Sequence, residues 1–237
     1  MPTTLLVNEI FYSIQGESTW VGCPCVFVRL TGCHLRCGYC DTEYAFHEGK
    51  RCAVDDVLCQ VQSVAGCDRE PGACDLVEVT GGEPLLQPGV HELMRRLCDS
   101  GRTVLLETSG ACDISTCDPR VVRIMDLKTP DSGEAHRNLW TNLDHLRAQD
   151  EIKFVLCSER DYQWARDLIL QRTLHERVRA VLLSPVHATP PGRDLRGCEG
   201  LGLEPVARWM LRDRLPHRVR LQTQLHKLIW DPQARGV

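Results

Sequence analysis

Short apolar, β-branched runs alternate along this chain with stretches whose apolar residues recur at helical spacing. Seven runs read as strands: Val26–Thr31, Leu76–Thr80, Thr103–Thr108, Val121–Asp126, Glu151–Leu156, Ala180–Ser184 and Val219–His226. Between them, Asp55–Val64, Val90–Asp99, Asp161–Gln171 and Glu204–Arg212 read as amphipathic helices. This alternation predicts a parallel sheet with right-handed crossovers. The units fall short of eight, so the expected α/β fold is an incomplete parallel (β/α) barrel, open on one side. The 237 residues can bury a full core, and no low-complexity linker or internal repeat divides them, so we expect one domain, 1–237.

Period-two reading of the strands adds a second layer. Val26, Val28 and Leu30 share one face, with Arg29 and Thr31 on the other. Glu78 pairs with Thr80, Glu107 with Ser109, and Asp126 with Lys128, while Lys153 sits between Ile152 and Phe154. In the last run Gln222, Gln224 and His226 form a polar face. A helix-covered parallel sheet is ordinarily apolar on both faces, and buried charges must be paired. Polar residues on so many strands, gathered toward their C-terminal ends, predict a cavity that holds polar ligands.

Composition narrows the field. A net charge of −4 lacks the basic field of a general nucleic-acid binder. No apolar run reaches the length of a membrane span, and Met1-Pro-Thr-Thr lacks the charged start of a signal peptide. Fourteen cysteines in a chain of this size, without such a start, point to the reducing cytoplasm rather than to a disulfide scaffold. Outside one cluster they are scattered, as small buried hydrophobes or surface thiols would be.

That cluster carries the chemistry. Cys33-His-Leu-Arg-Cys37-Gly-Tyr-Cys40 follows the first strand run. Three thiolates at this spacing, with no fourth close behind, would leave one iron of a 4Fe–4S cluster without a protein ligand, whereas an electron carrier takes four. Zinc is the alternative, but it prefers four closed ligands in short-spaced pairs. Cys23-Pro-Cys25 has the wrong spacing for the second pair. After the second strand run, Thr80-Gly81-Gly82-Glu83-Pro84 is a turn whose glycines permit close backbone approach to a ligand.

The cysteine loop, residues 32–42, resembles the signature of the radical S-adenosylmethionine (SAM) superfamily. The GGEP turn and Glu107-Thr-Ser-Gly110 resemble the superfamily's SAM-binding motifs. At the two ends, Glu9-Ile-Phe-Tyr-Ser-Ile-Gln-Gly-Glu-Ser18 and Arg220-Leu-Gln-Thr-Gln-Leu-His-Lys-Leu-Ile-Trp230 resemble the 7-carboxy-7-deazaguanine synthase family, as does Asp41-Thr42 after the last cysteine. The likeness spans nearly the whole chain, including a C-terminal strand and tail over 218–237.

That resemblance implies conversion of 6-carboxy-5,6,7,8-tetrahydropterin to 7-carboxy-7-deazaguanine with loss of ammonia, on the route to queuosine and other 7-deazapurines. It implies a 4Fe–4S cluster on Cys33, Cys37 and Cys40, SAM as a recycled cofactor, and Mg²⁺ on Thr42. SAM contacts are expected from Tyr39, Cys40, Asp41, Gly82, Glu83, Glu107, Asp126, Lys128 and Ser184, Pro185, Val186 and His187. Substrate contacts are expected from Ile14, Gln15, Gly16, Arg29, Thr80, Gln224 and His226. Asp126-Leu-Lys-Thr-Pro130 stands where many relatives carry Ser-Pro-Lys, with Lys128 keeping its place, and Ser184–His187 matches the family loosely. An electron-donating reductase of flavodoxin or ferredoxin type and a homodimer are further family expectations. No membrane or nucleic-acid partner is expected. The residues leave helix capping open as the role of Thr42 and a core histidine as that of His226.

Two other functions compete. A radical SAM activase, which makes a glycyl radical on a partner protein, shares the loop but has no use for Arg29, Thr42 and the Gln224–His226 face together. A non-catalytic iron–sulfur carrier would want a fourth ligand and no GGEP turn. Of 28 basic residues only Lys50, Lys128, Lys153 and Lys227 are lysines. In a chain that defaults to arginine, Lys128 and Lys153 read as compact ammonium groups paired with a ligand carboxylate or a buried glutamate such as Glu78 or Glu107. Lys227, opposite His226, reads as a stem that packs while its head reaches solvent.

Overall fold

All seven expected strand runs form strands, and two further strands precede and flank them. In the computed structural model, which describes residues 2–66, 73–187, 198 and 200–237, the strands are β1 (Thr4–Ile14), β2 (Pro24–Leu30), β3 (Lys50–Ala53), β4 (Leu76–Gly81), β5 (Thr103–Thr108), β6 (Val122–Asp126), β7 (Glu151–Leu156), β8 (Ala180–Pro185) and β9 (Val219–Leu221). They make one sheet in the order β3-β1-β2-β4-β5-β6-β7-β8-β9. β2 and β4 through β9 are parallel, whereas β1 pairs antiparallel with both β2 and β3. No pairing joins β3 to β9, so the barrel stays open, as expected.

The four expected helices are present as α1 (Val54–Ala65), α2 (Gly89–Asp99), α3 (Glu159–Gln171) and, after the short α4 (Leu174–Arg177), α5 (Leu203–Arg212); a last turn, α6 (His226–Ile229), ends the series. Each long helix turns its apolar stripe to the sheet. Val57 and Val61 of α1, Leu93, Met94 and Leu97 of α2, Tyr162, Ala165 and Ile169 of α3 and Val206 of α5 are buried. The helix-facing side of the sheet answers with Val26, Val28, Val77, Val79, Val104, Leu106, Ile152 and Phe154, all essentially inaccessible. This is the main core, and burying such side chains supplies most of the driving force for the fold. One charge interrupts it: Arg123 on β6 is fully buried and bonded to Asp150 and to the carbonyls of Ile114 and His145. A buried guanidinium survives because each of these acceptors offsets its lost hydration.

Two features correct the sequence expectation. β1 and β3 lack a clean signal: β1 is half-buried, carries a bulge between Val7 and Glu9, and β3 is a short edge of Lys50-Arg-Cys-Ala53. The last strand run is shorter than expected. β9 ends at Leu221, and His226 opens α6, so Gln222, Gln224 and His226 do not share a strand face.

Candidate active site

The polar faces converge as expected. A cavity of about 580 Å³ opens over the face of the sheet away from the helices. Its floor takes Arg29 from β2, Glu78 and Thr80 from β4, Glu107 from β5, Asp126 from β6, Lys153 from β7 and Ser184 from β8. These positions alternate with the buried core residues, so the period-two pattern alone places them there.

Cys33, Cys37 and Cys40 line the cavity as well. Two glycines let the loop sit there. A Cβ on Gly81, whose φ is +148°, would lie 2.2 Å from the Leu30 carbonyl oxygen, and one on Gly82 would lie 2.3 Å from that of Gly32. The Glu83 backbone N–H donates to the same Gly32 oxygen at 2.8 Å, which ties the GGEP turn to the cysteine loop. Burial pushes all three thiols up, Cys37 to about 11, while the Lys128 ammonium acts against that on each. Among the described residues no three His, Cys, Asp or Glu side chains converge on a site for a single ion. Zinc would need such convergence. Three cysteines on one loop are the kind of thiolate donors that an iron–sulfur cluster takes.

Glu83 departs from its expected SAM role. It is buried outside the cavity lining, where its carboxylate accepts from Leu85 N, Thr108 Oγ1 and both Ser109 N and Oγ. It thus bonds the GGEP turn to the Glu107-Thr-Ser-Gly110 motif. Tyr39, Cys40, Asp41, Gly82, Glu107, Asp126, Lys128 and Ser184, Pro185, Val186 and His187 do line the cavity. Lys128 Nζ donates to Asp126 Oδ2 at 2.7 Å and lies 5.6 Å from the centre of the Tyr39 ring. Asp126 Oδ1 and the Tyr39 hydroxyl are buried without a partner, as polar atoms awaiting a ligand would be.

Ile14, Gln15, Gly16, Arg29, Thr80, Gln224 and His226 line the same cavity, as does Thr42. Arg29 Nε donates to Glu9 at 2.8 Å, and its guanidinium lies between the Phe11 and Tyr44 rings. Gly16 has no room for a side chain, since a Cβ would lie 2.1 Å from His226 Nδ1. Burial lowers the His226 pKa, against the pull of Glu17 and Asp41, so the ring is neutral at pH 7. Thr42 stands at the start of the short 3₁₀ turn Glu43–Phe46, yet its hydroxyl makes no cap bond; its neighbour is the Cys40 thiol at 3.9 Å. Lys227 does not extend into solvent as expected, because its ammonium pairs with Asp41.

Sequence reasoning missed Glu17 and the tail. Lys153 Nζ donates to Glu17 at 2.9 Å and to Glu107 at 2.8 Å, the glutamate pairing expected of that lysine. Gln15 Nε2 donates to Glu78. One ammonium thus faces buried Glu78 and the largely buried Glu17 and Glu107. Burial works against the Glu17 charge, but Lys153, Gln224 and His226 together hold Glu17 below the usual range. Burial and the neighbouring carboxylates keep Glu78 protonated well above it, and burial raises Glu107 to about 7. Residues 231–237 also line the cavity, with the Arg235 guanidinium 3.8 Å from the Tyr44 ring centre.

No family model matches the chain. Individual proteins do. It is 43% identical over 237 residues to the 7-carboxy-7-deazaguanine synthase of Koribacter versatilis, covering 98% of this chain and 99% of that one. It is 44% identical over 239 residues to the enzyme of the same name from Chlorobaculum tepidum, covering 98% and 97%. Among solved structures, QueE from Escherichia coli superposes with a TM-score of 0.71 at 22% identity, covering 94% of this chain and 95% of that one. Streptococcus suis SuiB bound to S-adenosylmethionine gives 0.56 at 14% identity, covering 81% and 48%. The two structures share the fold; the full-length sequence identities go further, and by them the chain belongs to the 7-carboxy-7-deazaguanine synthase family of radical SAM enzymes.

Proposed function

We propose that the chain converts 6-carboxy-5,6,7,8-tetrahydropterin to 7-carboxy-7-deazaguanine with loss of ammonia, in a Mg²⁺-dependent reaction serving queuosine and 7-deazapurine synthesis. The observation that carries this reading is one cavity lined both by Cys33, Cys37 and Cys40 and by Gln15, Gly16, Arg29, Thr80 and His226. Its volume of about 580 Å³ suits a small molecule and cofactor rather than a protein segment.

Cys33, Cys37 and Cys40 would hold the cluster, and the groups about Asp126 and Lys128 would hold SAM. When bound, cluster and SAM supply the radical chemistry. The chain supplies binding and geometry. The Gln15 region, with its backbone groups, meets the donor–acceptor edge of a pterin, and Arg29 presents a planar cation to a carboxylate or ring. Thr42 offers Mg²⁺ a hydroxyl that caps no helix, and the ion takes its other ligands from water and substrate. Neutral His226 closes the pocket and can accept or donate one proton. The tail lining that pocket excludes water from the reacting centre. The same reading entails an electron donor of flavodoxin or ferredoxin type, a homodimer and a cytoplasmic setting. Among the described residues no helix is long and apolar enough to cross a membrane.

The test is anaerobic incubation of the cluster-loaded protein with SAM, dithionite, Mg²⁺ and the carboxytetrahydropterin, followed by mass spectrometry. Carboxydeazaguanine is the expected product. Its absence, with a glycyl-radical signal raised on a partner protein, would replace this reading with the activase.

A further inference from the structure

The wall formed by residues 222–237 is attached to the rest of the molecule in an unusual way. No residue of α6 is buried, and Leu228 and Ile229 are 63% and 51% exposed. The wall therefore takes little stability from apolar packing. It hangs instead on polar ties. The Leu225 N–H donates to the Gly16 carbonyl at 2.9 Å, and Arg235 pairs with Glu48 at 2.8 Å. Lys227 and Gln224 reach Asp41, whose side chain is 42% exposed, and Glu48 is 58% exposed, so solvent screens both of those ties.

Glu17 is different. Its side chain is only 15% exposed, and both carboxylate oxygens are used. Oε1 accepts from Gln224 Nε2 at 2.8 Å; Oε2 accepts from Gln222 Nε2 at 3.2 Å and from Lys153 Nζ at 2.9 Å. Its own N–H donates to Gln15 Oε1 at 3.0 Å. The neighbouring Ser18 N–H donates to Gln222 Oε1 at 2.7 Å. One carboxylate thus joins the floor of the cavity, through Lys153, to the start of the wall that carries His226.

We propose that Glu17 is a positioning residue: its carboxylate latches the C-terminal wall, residues 222–237, onto the Lys153 floor, and release of that latch opens the cavity to substrate. Geometry favours a latch over a plain structural tie. The tie is polar at every contact, joins elements distant in sequence, and is less exposed than the ties to Asp41 and Glu48. It holds the wall without committing apolar surface, so opening costs polar bonds that water can replace. The inference rests on the proposed pterin reaction only for its kinetic arm.

The test uses cluster-loaded protein, with Glu17→Gln to remove the charge and Gln222→Ala to remove a tie outside the cavity lining. Hydrogen–deuterium exchange is expected to accelerate about tenfold or more over residues 222–237 in Glu17→Gln and less in Gln222→Ala. Exchange in β4 through β8, iron content and SAM affinity without substrate should stay within about twofold of wild type. Apparent KM for the carboxytetrahydropterin should rise about tenfold in Glu17→Gln, with a smaller change in kcat. Unchanged exchange over 222–237 in Glu17→Gln overturns the latch. Acceleration spread equally over β4 through β8 also overturns it, by making Glu17 a residue of the fold. Should wild type fail to turn the pterin over, the functional reading falls, and the exchange result still decides the latch.

Discussion

The ammonium of Lys153 on β7 lies 2.8 Å from a carboxylate oxygen of Glu107 on β5, reaching across the intervening β6. Both side chains are largely withdrawn from water. Lys153→Met would leave Glu17, Glu78 and Glu107 together without that cation. Stability should fall by about 3–5 kcal/mol, as for other buried pairs that lose a partner. Thermal and urea unfolding check this. Lys153→Arg keeps the charge, but a planar fork does not fit between the two carboxylates, so activity should fall while much of the stability is kept.

The same site predicts a pH dependence. Burial raises Glu107 to about 7 in the folded state, against a carboxylate's ordinary 4.5. A carboxyl group raised on folding binds its proton more tightly in the native state. Its contribution is therefore complete below pH 4.5 and is lost as pH rises through about 7. Glu78 is shifted the same way. Wild-type Tm should accordingly decline across that window, and Glu107→Gln should flatten the decline. A wild-type curve no steeper than the variant's would contradict the assignment.

Cluster loading should follow the cysteine loop alone. Replacing Cys33, Cys37 or Cys40 with Ala should abolish bound iron and SAM cleavage. Cys112 sits within electrostatic reach of Cys33, and Cys25, within β2, is fully buried; Ala at either position should leave iron content intact. Iron and sulfide analysis of reconstituted variants decides this.

Two glycines should fail in different ways. Gly82→Ala forces a Cβ against the Gly32 carbonyl, a backbone atom that cannot step aside. Iron loading should drop severalfold. In Gly16→Ala the obstacle is the His226 ring. Its cluster should load normally, while KM for the pterin rises about tenfold or more through displacement of the α6 turn. Equal iron loss in both variants would show that the two sets of lining residues are not separable.

Thr42→Ala tests the metal. The hydroxyl caps nothing, so its loss should cost little stability. The Mg²⁺ concentration for half-maximal turnover should rise severalfold, while SAM cleavage without pterin stays as it was. An identical Mg²⁺ titration in both proteins would remove Thr42 from the metal site.

How much of this was legible depended on whether a residue's role repeats along the chain. The parallel strands and four long helices announce themselves because one face of each is buried at a fixed period. The cavity floor is legible for the same reason, since Glu78, Glu107, Asp126 and Lys153 break that period. β1 and β3 are obscured, the first by its bulge and half-burial and the second by its short charged edge. The Gln222, Gln224 and His226 alternation mimics a strand, although after Leu221 the chain leaves the sheet to serve Glu17 and Gly16. Glu17 itself gives no periodic signal. Its partners lie 136, 205 and 207 residues away, and only the fold brings them together.

The row of charges across the floor also bears on how the sheet finds its pairing. Parallel strands can slide, and a one-residue slip turns every side chain to the opposite layer. Here such a slip in β4, β5 or β7 would drive Glu78, Glu107 or Lys153 beneath the helices, among Val57, Leu93 and Ile169, and strand it without a partner. Leaving a polar or charged group there without a partner costs up to several kcal/mol. The groups that equip the cavity thus penalise misaligned sheets, and a variant with an all-apolar floor should refold to a more heterogeneous population even where its final stability is higher.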